Sequence, residues 1–276
     1  ELDQLGSGQN IIFSVGFQFP GPLAFQQFFQ DTVAEWEKAS GKSVRLALAT
    51  SKDIEDAILA DPVRGRQIAV IDLRYWQYRP DGSLWAPAGG KNQAFREAVT
   101  RDFGKSTDFP PATTARQLYR QVREYHDRYP DKAIVGWFGG VGPIPVLMAG
   151  GAQSLSRNPT AGHDQGGIID RTTLDGFVQD RLAPVLMKMN PRDGLLGDAE
   201  NAWALTDESD ENVLLYSLTG DAISVIQPLK RVYHGVWFDP RTGNTQAIEE
   251  PVSLVTPAMV RKPSAKDWLL FLTAVK

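Results

Sequence analysis

The apolar residues of this chain change period partway along, and that change limits the fold more than any other feature. Through about residue 155, short apolar runs alternate with stretches whose apolar residues recur at three- and four-residue spacing. Alternating strand and helix signals predict a parallel sheet flanked by helices. From about residue 198 the helical period disappears, and short strand-like runs follow one another across turn residues. That spacing predicts an antiparallel β-sandwich. The fold class read from the pattern is α/β followed by all-β.

In the first part, strand signals fall at 10–18, 44–50, 67–76, 132–140 and 151–156, and helical signals at 24–39, 51–62 and 115–130. Phe25, Phe28, Phe29, Val33 and Trp36 form the apolar stripe of 24–39, and Ser40-Gly41 stops it. Ser51 stands where it can cap the second helix, and Pro62 ends that helix. A Gly- and Pro-rich connection covers 77–112; it carries Trp85, Phe95 and Phe103, which argue for order and a functional loop. "IPVLMAG" reads as a short apolar helix or turn, and 157–172 as a Gly-rich polar loop. A helix over 173–189 is expected to bend near Pro184. In the second part, "DPRTGN" predicts a tight turn, with Pro240 at its second position and Gly243 where a left-handed residue is required.

Composition removes several classes of function. The 276 residues include no cysteine, so disulfides, thiolate metal sites and cysteine nucleophiles are excluded. A net charge of -4 gives no electrostatic reason to expect nucleic acid or an anionic membrane. No run approaches the ~18 apolar residues of a membrane span. The opening "ELDQLGSGQ" has neither the basic nor the apolar region of a signal peptide. A chain without cysteine fits an exported bacterial protein as well as many cytosolic ones; the expectation taken forward is a secreted or periplasmic location. The three histidines are scattered without metal-ligand spacing. "GGVGP" lacks the dinucleotide fingerprint and "GGKN" is no phosphate loop. No cofactor is expected.

Two stretches of the tail, "WFDPRTG" (237–243) and "KDWLLFL" (266–272), resemble the C-terminal β-sandwich of bacterial glycoside-hydrolase-like proteins, a module often labelled collagen-binding. No residue here argues for collagen. Upstream, "IDLRYWQY" (71–78), "APAGGKN" (86–92) and "LMAGGAQS" (147–154) resemble the second half of the (β/α)8 barrel that precedes the sandwich in those proteins. The resemblance implies a partial barrel over 1–192, approximately strands four to eight, and a sandwich over 193–276. A whole barrel needs eight strands. The resemblance therefore also implies that the N-terminal half comes from an upstream segment or another chain. A complete open α/β sheet is the competing architecture.

The resemblance further implies a carbohydrate ligand. In such barrels a Glu at the end of the fourth strand is the acid/base, and alignment of "VGFQF" places Gln18 there. An amide keeps the shape but cannot exchange the proton that glycosidic cleavage requires. The end of the seventh strand reads "GWFGGVG", also without an acid. Asp72, expected to alternate with Arg74 and Trp76 on one strand face, is the remaining carboxylate; it can pair with Arg74 as core filling, or act as a base or bond a sugar hydroxyl. Trp76, Tyr78, Trp85 and Trp137 offer ring faces for sugar stacking, with core packing as the alternative for each. Lys91, Asn92, Gln153 and His163 complete the expected polar wall. Two readings follow: a glycoside hydrolase whose acid/base position is disabled, or a non-catalytic glycan-binding or scaffold protein.

Overall fold

The computed structural model describes residues 12–15, 23–85, 113–136, 141–153 and 171–275. Gln18, Lys91, Asn92, Trp137 and His163 lie outside the described residues. The chain divides into two compact units, Glu1–Val141 with Gly151–Ser156, and Gly142–Gly150 with Arg157–Lys276. The sequence reading places its boundary at 192/193.

The first unit is built on a parallel sheet of β1 (Ile12–Val15), β2 (Arg45–Leu48), β3 (Ile68–Asp72), β6 (Ala133–Gly136) and β7 (Ala152–Gln153), adjacent in that order. β2 and β3 are shorter than their apolar runs, 44–50 and 67–76. Strands that run parallel need a crossover between them, and α1 (Leu23–Ser40), α2 (Lys52–Ala60) with α3 (Arg64–Gln67), and α4 (Ala115–Arg128) lie in three of the crossovers. Leu46, Leu48, Ile54, Ile71, Val122 and Ile134 are buried between sheet and helices. Because every strand runs the same way, the C-terminal ends of β2, β3, β6 and β7 share one edge of the sheet, and Asp72 and Gln153 are terminal residues on it.

Three local expectations are corrected here. The run 67–76 is not one strand: β3 stops at Asp72, and 73–75 form a 3-10 turn before a hairpin of β4 (Gln77–Tyr78) and β5 (Leu84–Trp85). Asp72 ends the strand because its carboxylate accepts the Arg74 N–H and so folds the chain back. On α1 the fully buried residues are Gln26 and Gln30, whereas Phe28 of the apolar stripe is 67% exposed. Gln30 Nε2 donates to the Arg64 carbonyl of α3, a contact that turns this face inward. Ser51 takes the extended N-cap conformation, but its hydroxyl donates to Asp53 and accepts no helix backbone N–H.

The second unit contains a seven-stranded antiparallel sheet: β13 (Thr245–Ala247), β12 (Val232–Phe238), β16 (Trp268–Ala274), β10 (Asn212–Ser217), β9 (Ala202–Thr206) and β8 (Asn190–Pro191) in order, with β14 (Val252–Ser253) also on β12. A separate pair, β11 (Ala222–Val225) with β15 (Ala258–Arg261), supplies Ile223, Val225 and Val260 to a core shared with Val213, Leu215 and Leu270 of the large sheet. The opposite sheet face is also buried. Phe177 of α6 (Arg171–Phe177) stacks on Phe238 at 4.4 Å, and α5 (Ile144–Met148) contacts β9. Two-sided burial explains the near-continuous apolar runs of β9 and β10. A π-turn at 178–182 separates α6 from α7 (Ala183–Leu186), where Pro184 takes a first-turn position that needs no N–H. The tight turn is as expected: Gly243 has φ 75° and donates its N–H to the Asp239 carbonyl at 2.8 Å. His234 lies within β12, opposite Thr273 of β16.

Candidate functional site

Asp72, Arg74, Trp76 and Tyr78 come from one seven-residue stretch leaving β3, and the site grows from that turn. Asp72 is 4% exposed and accepts Arg74 Nε at 2.8 Å, together with Arg74 Nη2 and the Arg74 backbone N–H. Both guanidinium donors converge on Asp72 Oδ2, a charge-assisted contact stronger than a neutral hydrogen bond. The bond to Asp72 comes first in holding the Arg74 guanidinium above its ordinary value, against a smaller opposing effect of burial. The pair arises across the 3-10 turn, not along one strand face as the alternation predicts.

Trp76 is 1% exposed. Its indole N–H donates to Glu55 Oε2 at 2.7 Å, so its single donor is committed within the protein. Tyr78 is also buried; its hydroxyl donates to Glu124 Oε2 at 2.6 Å, and its ring stands edge-on to Trp76 with centroids 5.6 Å apart. Burial, and then the bond to Glu124, push the Tyr78 phenol up to about 12. Trp85 is half-buried and pairs with Gln77 across the β4–β5 hairpin. Gln153 ends β7 beside Gly136. The backbone thus brings Asp72, Arg74, Trp76, Tyr78 and Trp85 into one neighbourhood.

Several residues of this neighbourhood escaped the sequence reading. Lys52 Nζ donates to Glu124 Oε1 at 2.7 Å and to Asp56 Oδ2 at 2.9 Å, and stands 5.2 Å from the centroids of both Trp76 and Tyr125. Burial pulls its ammonium down, but the two carboxylates outweigh burial and leave it raised. Tyr125 donates to Asp56 Oδ1 at 2.8 Å, and burial drives its phenol far above the ordinary range. Arg128 closes the network on Asp56 at 3.2 Å. The network ties the start of α2 to the C-terminal half of α4.

Glu55 is the anomaly. It is fully buried, and it holds the Trp76 N–H through one oxygen and the Thr50 N–H, at 3.4 Å, through the other. Burial pushes its carboxyl well above the usual range; the Trp76 and Thr50 bonds pull the other way, and the charges of Asp72 and Asp56 add to the rise. Burial of this kind favours the protonated form of a carboxyl. One sequence signal points to it: Ile54, Glu55, Ile58 and Leu59 form the buried face of α2, so Glu55 occupies an apolar stripe.

Among the described residues no cluster of His, Cys, Asp and Glu is arranged to hold a metal ion, and no helix is long and apolar enough to cross a membrane. His126 Nδ1 lies 3.1 Å from Arg123 Nη1 on α4.

Comparison with known proteins gives three findings. The model of a family described as a domain of unknown function, DUF6298, matches residues 1–164. A crystal structure of a glycoside hydrolase family 5 protein from Bacteroides vulgatus ATCC 8482 is similar over 99% of this chain and 64% of its own, with a TM-score of 0.60 and 11% identity. A second structure, described as a glycoside hydrolase, is similar over 91% of this chain and 61% of its own, with a TM-score of 0.54 and 11% identity. The chain therefore spans less than two thirds of the length of either structure, and at this identity the likeness concerns the fold. No curated protein matches the chain.

Proposed function

The chain belongs to the DUF6298 family, and from that premise we propose that it is a glycoside-hydrolase-like protein that engages a poly- or oligosaccharide at the C-terminal ends of its parallel strands. The single observation that carries this reading is the turn after β3. It places a forked Asp72–Arg74 ion pair at the strand-end edge where barrel proteins of this architecture hold their ligands. Arg74 keeps 25% of its side chain exposed and can reach a sugar hydroxyl, while Asp72 and the buried aromatics hold it in place. Gln18 occupies the acid/base position, and Trp85, Lys91, Asn92, Trp137, Gln153 and His163 complete the wall.

In this reading the parallel strands correspond to the fourth through eighth of a (β/α)8 barrel, and residues 193–276 form a β-sandwich accessory domain. Support comes from a strand order that follows chain order without reversal, β1-β2-β3-β6-β7. Support for missing barrel strands, supplied by an upstream segment or another chain, comes from the sheet margin. Among the described strands β1 pairs with β2 alone, and Phe28 of the adjoining helix is exposed. The saccharide belongs to the first unit because Arg74 and half-buried Trp85 keep exposed surface at the turn, whereas Trp203, Trp237 and Trp268 of the antiparallel unit are 4%, 3% and 8% exposed. A secreted or periplasmic location accords with such a ligand.

Calorimetric titration with neutral gluco-, xylo- and manno-oligosaccharides tests the reading. Binding by the wild type is expected, with R74M weakening it by about tenfold, the scale of one lost charge-assisted hydrogen bond. Equal affinity of wild type and R74M contradicts the placement of the site.

A further inference from the structure

We infer that Glu55 is a positioning residue for the Asp72–Arg74 turn, acting on it through the indole of Trp76. The inference rests on the proposed function only in assigning ligand contact to that turn.

The turn cannot hold itself. Three residues of 3-10 helix supply few internal hydrogen bonds, and the carbonyls of Leu73 and Trp76 face the interior. Gln121 of α4 answers both, donating Nε2 to the Trp76 carbonyl at 2.7 Å and to the Leu73 carbonyl at 3.2 Å. Glu55 of α2 grips the same end from the other side by accepting the indole N–H. Gln121 is 2% exposed, Trp76 1% and Glu55 0%, so water cannot replace either contact. At the opposite end Asp72 caps the Arg74 N–H and pairs with its guanidinium. Two helices thus fix the flank of a turn whose other flank presents Arg74.

The choice of a carboxyl there is informative. A buried, unpaired carboxylate is expensive, and an apolar side chain would fill the volume at no such cost. The groups facing Glu55 explain what its ionisation would do. Asp72 approaches from the end of β3, Asp56 and Lys52 lie on its own helix, and Tyr125, hydrogen-bonded to Asp56, comes from α4. Lys52 is already committed to Glu124 and Asp56. A charge on Glu55 would lie near that of Asp72, which Arg74 already pairs, and would strengthen the acceptor that holds the Trp76 N–H; either change reaches the turn through the indole.

The test uses nitrogen-15 NMR of the full chain, following the Trp76 indole N–H and the Arg74 Nε–H. In the wild type both resonances are expected to move together with one midpoint wherever Glu55 ionises above the ordinary carboxylic range. E55Q retains an acceptor without a titration, and both resonances should stay flat. E55L removes the acceptor, and exchange of the Arg74 Nε–H with solvent should speed by about tenfold at mildly acidic pH. An Arg74 signal that ignores the Trp76 titration, or an exchange rate unchanged in folded E55L, overturns the inference. E55Q serves as the folded comparison if E55L does not fold. No saccharide enters these readouts, so a failure of saccharide binding would sink the proposed function while leaving this result intact.

Discussion

Above the usual carboxylic range, E55Q is expected to be more stable than the wild type, by a margin that widens with each pH unit. The sign follows from burial. Glu55 has a carboxyl whose ordinary value, 4.5, is raised well upward in the folded chain, chiefly because the folded state gives it no water. The folded protein therefore holds a proton that the unfolded chain releases as pH passes that ordinary value. Stability attached to this proton is complete at lower pH and declines until the pH reaches the raised value, by about 1.4 kcal/mol per unit for one proton. Glutamine has nearly the same shape, can accept the Trp76 N–H through its carbonyl, and never ionises. Urea unfolding of both proteins between pH 4 and pH 8 reads the difference directly. The difference between the two curves should be constant near pH 4 and widen above the ordinary value until the pH passes the raised one. Parallel curves would mean that Glu55 is charged in the fold, against the burial that surrounds it.

The second large effect concerns Gln18. If Asp72 can serve as the partner carboxylate, Q18E is expected to raise glycosidic hydrolysis by roughly 10²–10⁴ over the wild type, the usual contribution of one general acid–base group. The barrel acid protonates the leaving oxygen and then draws a proton from water, two steps for which an amide has no means. The measurement is release of reducing ends from the oligosaccharides that bind the wild type. The companion variant D72N in the Q18E background should abolish the gain. Retained binding with no gain in Q18E selects the non-catalytic glycan-binding or scaffold reading, in which the strand ends recognise sugar and perform no chemistry. The absence of an acid in "GWFGGVG" gives that second reading its footing.

Much of the backbone plan was legible because it depends on local signals. Apolar runs bounded by Gly and Pro gave the parallel strands, and the tight turn at "DPRTGN" follows from Pro240 and Gly243 alone. The break near Pro184 was legible for the same reason, since a proline lacks the N–H that a continuing helix needs. What stayed hidden depends on contacts across the fold. The end of the strand in "QIAVIDLRYW" is set locally, by Asp72 capping its own turn, but the apolar run continues past it and conceals the stop. Nothing local orients α1, whose stripe of Phe residues predicts one buried face while Gln26 and Gln30 form another. The "AMVR" strand β15 has too short a pattern to stand out, and exists through its pairing with β11.

The candidate site divides along the same line. Asp72, Arg74, Trp76 and Tyr78 were legible as a group because they are neighbours in the chain. The partners that give them geometry were not: Glu55, Gln121 and Glu124 lie between 20 and 50 residues away in sequence and meet the turn only through α2 and α4. Glu55 alone left a trace, a charged residue inside an apolar stripe, and such a position merits the same notice as a motif.

The account turns on where sugar meets this protein, and NMR mapping of the nitrogen-15 labelled chain during titration with a binding oligosaccharide tests it most directly. The account predicts that perturbed amides concentrate at residues 72–78 and 84–85. Perturbations confined to the antiparallel strands between 202 and 274, with the turn after β3 silent, would contradict it.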